Sequence, residues 1–385
     1  MRIFIRHVII LILTTTVVSC YNTGTIPTLI PQNYNSNSYA HKNYAELNTA
    51  LQYYQEAAKH PAPPLPGPKL LKLGDNNNLV VILREHLEQN GDLSSSDNTK
   101  TSLFDTNVRE AVKSFQLRHG IKPDGMVGEG TRLALNVPPE VRLRQIQLSM
   151  QRWEQLEAAG DHYLLVNIPA YQVYLIENDR PVLNMKAIVG RPTRPTPELQ
   201  STINQLVFNP YWHVPVKIAK NDILPKVQEN PEYLDENNIQ VFHRGDKTKP
   251  LDDGDIDWNA VNQSDLNYDF RQEPGEENSL GVVKFQFPNS HDVYLHDTPA
   301  KTLFDSDNRD LSSGCIRLEK PFELVDYLIQ GNPEWDGLKT QEVLLSHKTT
   351  YVSLHKPLPV VLTYITAWVD ETGKVNFRDD IYHLN

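Results

Sequence analysis

The sequence predicts an α+β chain of several domains, with a small three-helix module followed by a mainly β domain that carries a helical and irregular insert. Three observations point to this order. Up to about residue 158 apolar residues recur at helical spacing, as Val108, Ala111, Val112 and Phe115 do at i, i+3, i+4 and i+7. From Tyr163 the pattern shortens to alternating runs of strand length. Between the first helical stretch and the rest lies Pro61-Ala62-Pro63-Pro64-Leu65-Pro66-Gly67-Pro68, which no helix can contain because proline lacks the amide hydrogen and clashes with the preceding turn.

In chain order, helices are expected at 44–60, 79–90 and 107–119, the last capped by Asp105 or Thr106 and ended by Gly120. A Pro123-Asp124-Gly125 turn leads into a short helix from Thr131 to Leu135. A longer helix, 139–158, places Leu143, Ile146, Met150 and Trp153 on one side and reads as a spacer. Strands follow at 163–168, 171–176 and 182–189, the last two joined as a hairpin around Glu177 to Arg180, and then at 203–208, 282–287, 293–296 and 352–369. A helix is expected over 217–229, and 230–278 reads as polar, Asp-rich and irregular, a lid, a binding insert or a surface elaboration. The resulting division is 1–20 leader, 21–45 tether, 46–75 helix and Pro-rich linker, 76–137 three-helix module, 138–162 spacer, 163–345 mainly β domain with its insert at 216–278, and 346–385 strands packing on that domain.

With 385 residues, 39% hydrophobic and 22% charged, the chain is long enough for two or three domains with real cores. A formal charge of −11 argues against nonspecific binding to nucleic acid. The 13 histidines include no His-x-x-x-His pair and the two cysteines no Cys-x-x-Cys pair, so neither a metal nor another cofactor is expected.

Those two cysteines sit in different contexts. Arg2 and Arg6 precede an apolar run, 8–18, of signal-peptide length, and Val17-Val18-Ser19-Cys20 resembles the bacterial lipobox, in which the cysteine is acylated and the leader cut before it. The expectation is a periplasmic protein held to a membrane by a lipid on Cys20. Tyr21, where an aspartate would signal inner-membrane retention, favours the outer membrane, and the polar stretch 22–39 reads as a flexible tether.

Cys315, in Ser312-Ser313-Gly314-Cys315-Ile316-Arg317, is the candidate nucleophile, because an unpaired thiol in an oxidising compartment is exposed to oxidation unless it has a use. Only a few per cent of an ordinary thiol is thiolate at neutral pH, about what a pKa near 8.5 allows, so a base is needed. His296, at the end of Asp292-Val293-Tyr294-Leu295-His296 and separated from the cysteine by eighteen residues, is best placed. Gly314 lets the chain approach a substrate, and the Gly314 and Cys315 amides are candidate oxyanion donors. Ser313 and Arg317 are close enough in sequence to orient a substrate carboxylate or leaving group.

The run Phe115-Gln116, Gly120, Asp124-Gly125-Met126-Val127-Gly128 and the Thr131 helix resembles the small peptidoglycan-binding module of bacterial wall enzymes, apart from a longer loop at 92–104. Tyr294 to Pro299 with Ser312 to Glu319 resembles the signature of the L,D-transpeptidases of the YkuD type. The common form has His directly before Gly-Cys and Asn two residues after it, whereas this chain has Ser313 and Arg317. That departure, with Arg271 to Gly275, Asn278 to Gly281 and Asn209 to Pro215, is similar to the larger branch of the family. The resemblance implies peptidoglycan stem peptides as substrates, attack by Cys315 on the bond between diaminopimelate and D-Ala, and a three-to-three cross-link. It implies His296 as base twice over, and Tyr294 and Trp212 as cleft lining. Other outcomes of the same chemistry are an L,D-carboxypeptidase or a lipoprotein-anchoring transpeptidase. A noncatalytic wall-binding protein is the alternative of a different class.

Overall fold

The computed structural model describes residues 38–94, 101–370 and 372–385. The leader, Cys20, the tether up to residue 37 and the middle of the 92–104 loop lie outside the described residues. Helix α1 (Tyr39–Ala57) begins inside the stretch read as tether, because Ser38 caps it, its hydroxyl accepting from the His41 amide at 3.0 Å. The proline run then lies along the module. Leu65 is buried, and the Asn136 side chain answers its backbone on both sides, Oδ1 accepting from the Leu65 amide at 2.8 Å and Nδ2 donating to its carbonyl at 3.0 Å.

Helices α2 (Asn78–Gln89), α3 (Thr106–Arg118) and α4 (Glu129–Leu135) enclose a core of Leu83, Leu87, Phe104, Val112 and Phe115. Each such side chain contributes about 1.5–3 kcal/mol by leaving water. Gln116 fixes the turn after α3, since its amide nitrogen donates to Asp124 and the Met126 carbonyl, both at 2.8 Å, while its oxygen accepts from the Gly125 amide at 2.8 Å. Helix α5 (Pro139–Leu156) follows and packs with α1 over a second core that includes Trp153, Tyr163 and Phe377.

The β half comprises β1 (His162–Asn167), β2 (Gln172–Glu177), β3 (Arg180–Gly190), β4 (Leu199–Phe208), β5 (Trp212–His213), β6 (Ile239–His243), β7 (Tyr268–Gln272), β8 (Val283–Gln286), β9 (Leu295–His296), β10 (Asp310–Ser312), β11 (Ile316–Leu318), β12 (Thr350–Thr363), β13 (Ala367–Val369) and β14 (Val375–Phe377). The main sheet runs β10-β3-β11-β9-β8-β4-β12-β1-β2, and the β2–β3 hairpin closes it on itself. Leu164, Val166, Leu206, Phe208, Phe285, Leu295, Ile316 and Leu362 fill its interior.

Two expectations are corrected. The C-terminal strands do not pack on a finished domain: β12 is an inner strand of the sheet, parallel to β1 and antiparallel to β4, and only the β13–β14 hairpin lies apart. The region 230–278 is not irregular throughout. After the helical turns α6 (Val216–Ile218), a π-helical turn (Ala219–Ile223) and α7 (Leu224–Glu229), it contains α8 (Tyr233–Glu236) and contributes β6 and β7 to a small sheet ordered β5-β7-β6. Val227, Leu234, Val241, Trp258 and Phe270 give this insert its own core. Helices α9 (Pro321–Ile329) and α10 (Gly337–Leu345) complete the described elements.

Candidate active site

Three neighbouring strands carry the candidate residues. In the register, Lys284 on β8 lies opposite His296 on β9, and His296 lies beside Arg317 on β11. Cross-strand partners share a face of a sheet and side chains alternate along a strand. Lys284, His296 and Arg317 therefore stand in one row; Tyr294 and Cys315 come just ahead of β9 and β11, and the Tyr294 ring packs against both Lys284 and His296. The Ile316 amide donates to the Tyr294 carbonyl at 3.1 Å, which ties the two segments together.

Cys315 is a free thiol, half-buried, with Sγ 3.8 Å from the Asp292 carbonyl. Burial pushes its pKa up, while the Tyr294 backbone and hydroxyl and the charges of Lys284 and Arg317 oppose that shift. Among the described residues no hydrogen bond joins Cys315 to His296. The two meet through the strip they share, in a geometry that a bound substrate would have to tighten.

His296 is buried and its pKa is lowered to about 3, first by desolvation and then by Arg317, with Lys284 adding to the effect. It is therefore a neutral imidazole near neutral pH, the form that accepts a proton. Its Nδ1 lies 2.5 Å from the Asp297 carbonyl, which places the proton on that nitrogen. The orienting group is thus a main-chain carbonyl, whereas the Asp297 carboxylate accepts from the Val282 amide at 3.1 Å and pairs with Lys301. Gly281 makes room for that carboxylate: its φ is +60°, and a Cβ there would lie 2.3 Å from Asp297 Oδ2.

The loop of the candidate nucleophile is held from beneath. Gly314 has a φ of +121°, and its carbonyl accepts from the Thr196 hydroxyl at 2.8 Å. Its amide is not available to an oxyanion, because it donates to Ser312 Oγ at 3.1 Å, and that hydroxyl donates in turn to the Cys315 carbonyl at 2.6 Å. Of the two backbone donors expected from the sequence, only the Cys315 amide has no protein acceptor among the described residues. Ser313 accepts from Arg194 at 3.0 Å, and Arg194 forms an ion pair with Asp222 of the π-helical turn. The loop is thereby linked to the insert.

Arg317 is the site's unusual cation. Its Nε is buried without a hydrogen-bond partner, and among the described residues no carboxylate pairs with it. Burial lowers its pKa, and the Cys315 thiolate would raise it. Tyr294 is held well above its ordinary value by burial and by Cys315, so its hydroxyl remains a donor. Trp212, half-buried on β5, packs on the insert core and faces the Tyr294 hydroxyl, so it both packs and lines the site.

Lys284 was not among the residues singled out by motif. Its signal was available: it is the one charged residue in the otherwise apolar or neutral run Gly281-Val282-Val283-Lys284-Phe285-Gln286-Phe287. Among the described residues no group of His, Cys, Asp and Glu could hold a metal ion, and no helix is long and apolar enough to cross a membrane.

Residues 161–335 match the family model of the YkuD "L,D-transpeptidase catalytic domain", and residues 76–135 match that of a "Putative peptidoglycan binding domain". A curated protein of Haemophilus influenzae, named "Putative L,D-transpeptidase", is 36% identical over 216 residues, which is 56% of this chain and 43% of that protein. The chain thus matches less than half the length of that relative. Among solved structures, an L,D-transpeptidase from Mycobacterium smegmatis is 13% identical, with 53% of this chain and 58% of that one covered and a TM-score of 0.24. One from Stackebrandtia nassauensis is 13% identical, with 77% and 96% covered and a TM-score of 0.29.

Proposed function

From the premise that this chain carries an L,D-transpeptidase catalytic domain behind a peptidoglycan-binding module, we propose that it joins peptidoglycan stem peptides through a Cys315 thioester. The observation that carries this reading is the cluster of Cys315, Tyr294, His296, Lys284 and Arg317 inside the matched domain. It sets a thiol beside a neutral imidazole and two cations in a chain whose formal charge is −11. A positive cleft on an acidic protein suits a substrate rich in carboxylates, as a stem peptide is.

In the donor half-reaction the Cys315 sulfur attacks the carbonyl between the L-centre of diaminopimelate and D-Ala. The Cys315 proton passes to His296 and from there to the leaving D-Ala amine as the C–N bond breaks, leaving a thioester. The free Cys315 amide and the Tyr294 hydroxyl face the developing oxyanion, and Arg317 pairs with a donor carboxylate. In the second half-reaction the D-centre amine of a neighbouring stem attacks the thioester, His296 takes its proton, and Cys315 leaves. The product is a three-to-three cross-link. Cys20, acylated, would hold the enzyme to the outer membrane facing the wall.

The test is analysis of muropeptides after incubating sacculi with purified enzyme and with Cys315→Ala. Three-to-three cross-links with the first alone support the proposal. Release of D-Ala without cross-links would assign water as the acceptor, and transfer to a lysine side chain would assign a protein acceptor. Binding to sacculi with none of these products would leave a wall-binding protein.

A further inference from the structure

We propose that Lys284 is the standing counter-charge of the Cys315 thiolate, taking the part that a protonated histidine plays in a cysteine–histidine ion pair. This rests on Cys315 being the nucleophile, but not on the identity of donor or acceptor.

The argument begins with position. Lys284 is the register partner of His296, and its Nζ lies 3.9 Å from the centroid of the Tyr294 ring, whose hydroxyl and backbone face Cys315. The Tyr294 and His296 rings meet edge to face at 5.7 Å. Lys284 therefore stands over the aromatic wall of the nucleophile's pocket, half-buried, and among the described residues its ammonium forms no ion pair and no hydrogen bond. A partly desolvated ammonium whose neighbours are a ring face, a thiol and the Asp292 carboxylate has part of its charge directed at that thiol.

His296 cannot supply the same charge at rest. It stands between Lys284 and Arg317 in the register, and two cations oppose a third between them. The remaining charged or titratable groups around the pair are Asp292 in the loop before β9, His213 on β5, and Arg191 beyond β3, which faces Arg317. Asp292 favours the charged form of Lys284, and burial opposes it. His213 is kept toward its neutral form by burial and by Lys247, Arg271 and Lys284. Lys284 is thus a charge-positioning residue that acts through the thiolate, while His296 stays free to carry protons.

The experiment is the pH dependence of iodoacetamide alkylation of the full chain, read as mass gain on the Cys315 peptide so that Cys20 does not contribute. It requires no substrate, so its outcome is independent of whether cross-linking is found. In Lys284→Met the apparent thiol pKa should rise by about one unit, a roughly tenfold loss of alkylation rate at neutral pH. Lys284→Arg should restore most of it, and His296→Asn should move it less than Lys284→Met does. Methionine fills the space of the lysine stem, so a packing role alone would leave the profile unmoved, and that result overturns the proposal. So does a larger shift in His296→Asn than in Lys284→Met. Matching thermal melts show that the variants remain folded, and Lys284→Gln provides a second charge-removing variant if methionine fails to fold.

Discussion

Two arginines, a buried one at the junction between the module and the β13–β14 hairpin and a half-buried one in the candidate site, are partnered in opposite ways. Arg118 ends α3, and all of its guanidinium nitrogens are used: Nε donates to Asp92 at 3.0 Å, Nη1 to the Val375 carbonyl at 2.7 Å, and Nη2 to the Asn90 carbonyl at 3.0 Å. The Asp92 side chain is fully enclosed and is also approached by Lys374 at 3.5 Å. Arg378 donates back to the Arg118 carbonyl at 2.9 Å, and His119 stacks between Phe115 and Phe377. Arg317 has no such company. A buried cation with every donor satisfied joins two pieces of structure, and one left short of partners is held ready for an anion that arrives from outside.

The largest effect should come from breaking the satisfied site. Asp92→Asn leaves the Arg118 charge enclosed without a counter-charge and should cost about 3–5 kcal/mol, seen as a lowered midpoint in urea. An unchanged midpoint would mean that the junction does not hold the module to the β13–β14 hairpin.

Gly281→Ala comes next. It forces a side chain into the left-handed region and against Asp297, at a cost of about 1–3 kcal/mol, and it disturbs the carbonyl that holds His296. Both thermal stability and turnover should fall, whereas Gly373→Ala, with a φ of +79° but open space around it, should lower stability alone.

Arg317→Met separates the two arginines most directly. Removing a half-buried charge that has no carboxylate partner should leave the melting temperature unchanged or raised, while kcat/KM for a donor carrying its carboxylate falls about tenfold or more. A loss of stability as large as that of Asp92→Asn would show that Arg317 is structural too.

The most gradual effect, small per pH unit, is a pH slope to which each region contributes one histidine. His119 at the junction is held well below its ordinary value by burial and Arg118, and His296 is held at about 3 by burial and Arg317. The unfolded chain takes up these protons near pH 6.5, so below that value it binds more protons than the fold, and stability falls as the pH drops toward 4. The slope is at most about 1.4 kcal/mol per pH unit per histidine. Thermal melts of His119→Phe and His296→Phe between pH 7 and 4 should each be flatter than those of the parent chain.

Much of the helical half was legible in the sequence because helices are local. The 107–119 pattern and its Asp105 cap lie within two residues of α3, and the Phe-Gln and Asp-Gly signals are the ones Gln116 joins. The strands of the insert were not legible. Ile239–His243 and Tyr268–Gln272 are five residues each, separated by polar Asp-rich chain, and what makes them strands is pairing across that gap. The Gly314 amide was expected to face an oxyanion, but the side chain of Ser312 takes it, a contact that residue type alone does not reveal.

The sequence by itself determined the reagents: one thiol in a Ser-Gly-Cys turn, a histidine at a strand end, an arginine two residues beyond the thiol, and a wall-binding pattern upstream. Those depend on residues within a few positions of one another. Only the tertiary structure decided what surrounds them. Lys284, His296 and Arg317 become neighbours through the register of β8, β9 and β11, and register is set by pairing between segments far apart in the chain. The same two arginine side chains, alike in the sequence, differ because folding brings Asp92 to one and, among the described residues, no carboxylate to the other.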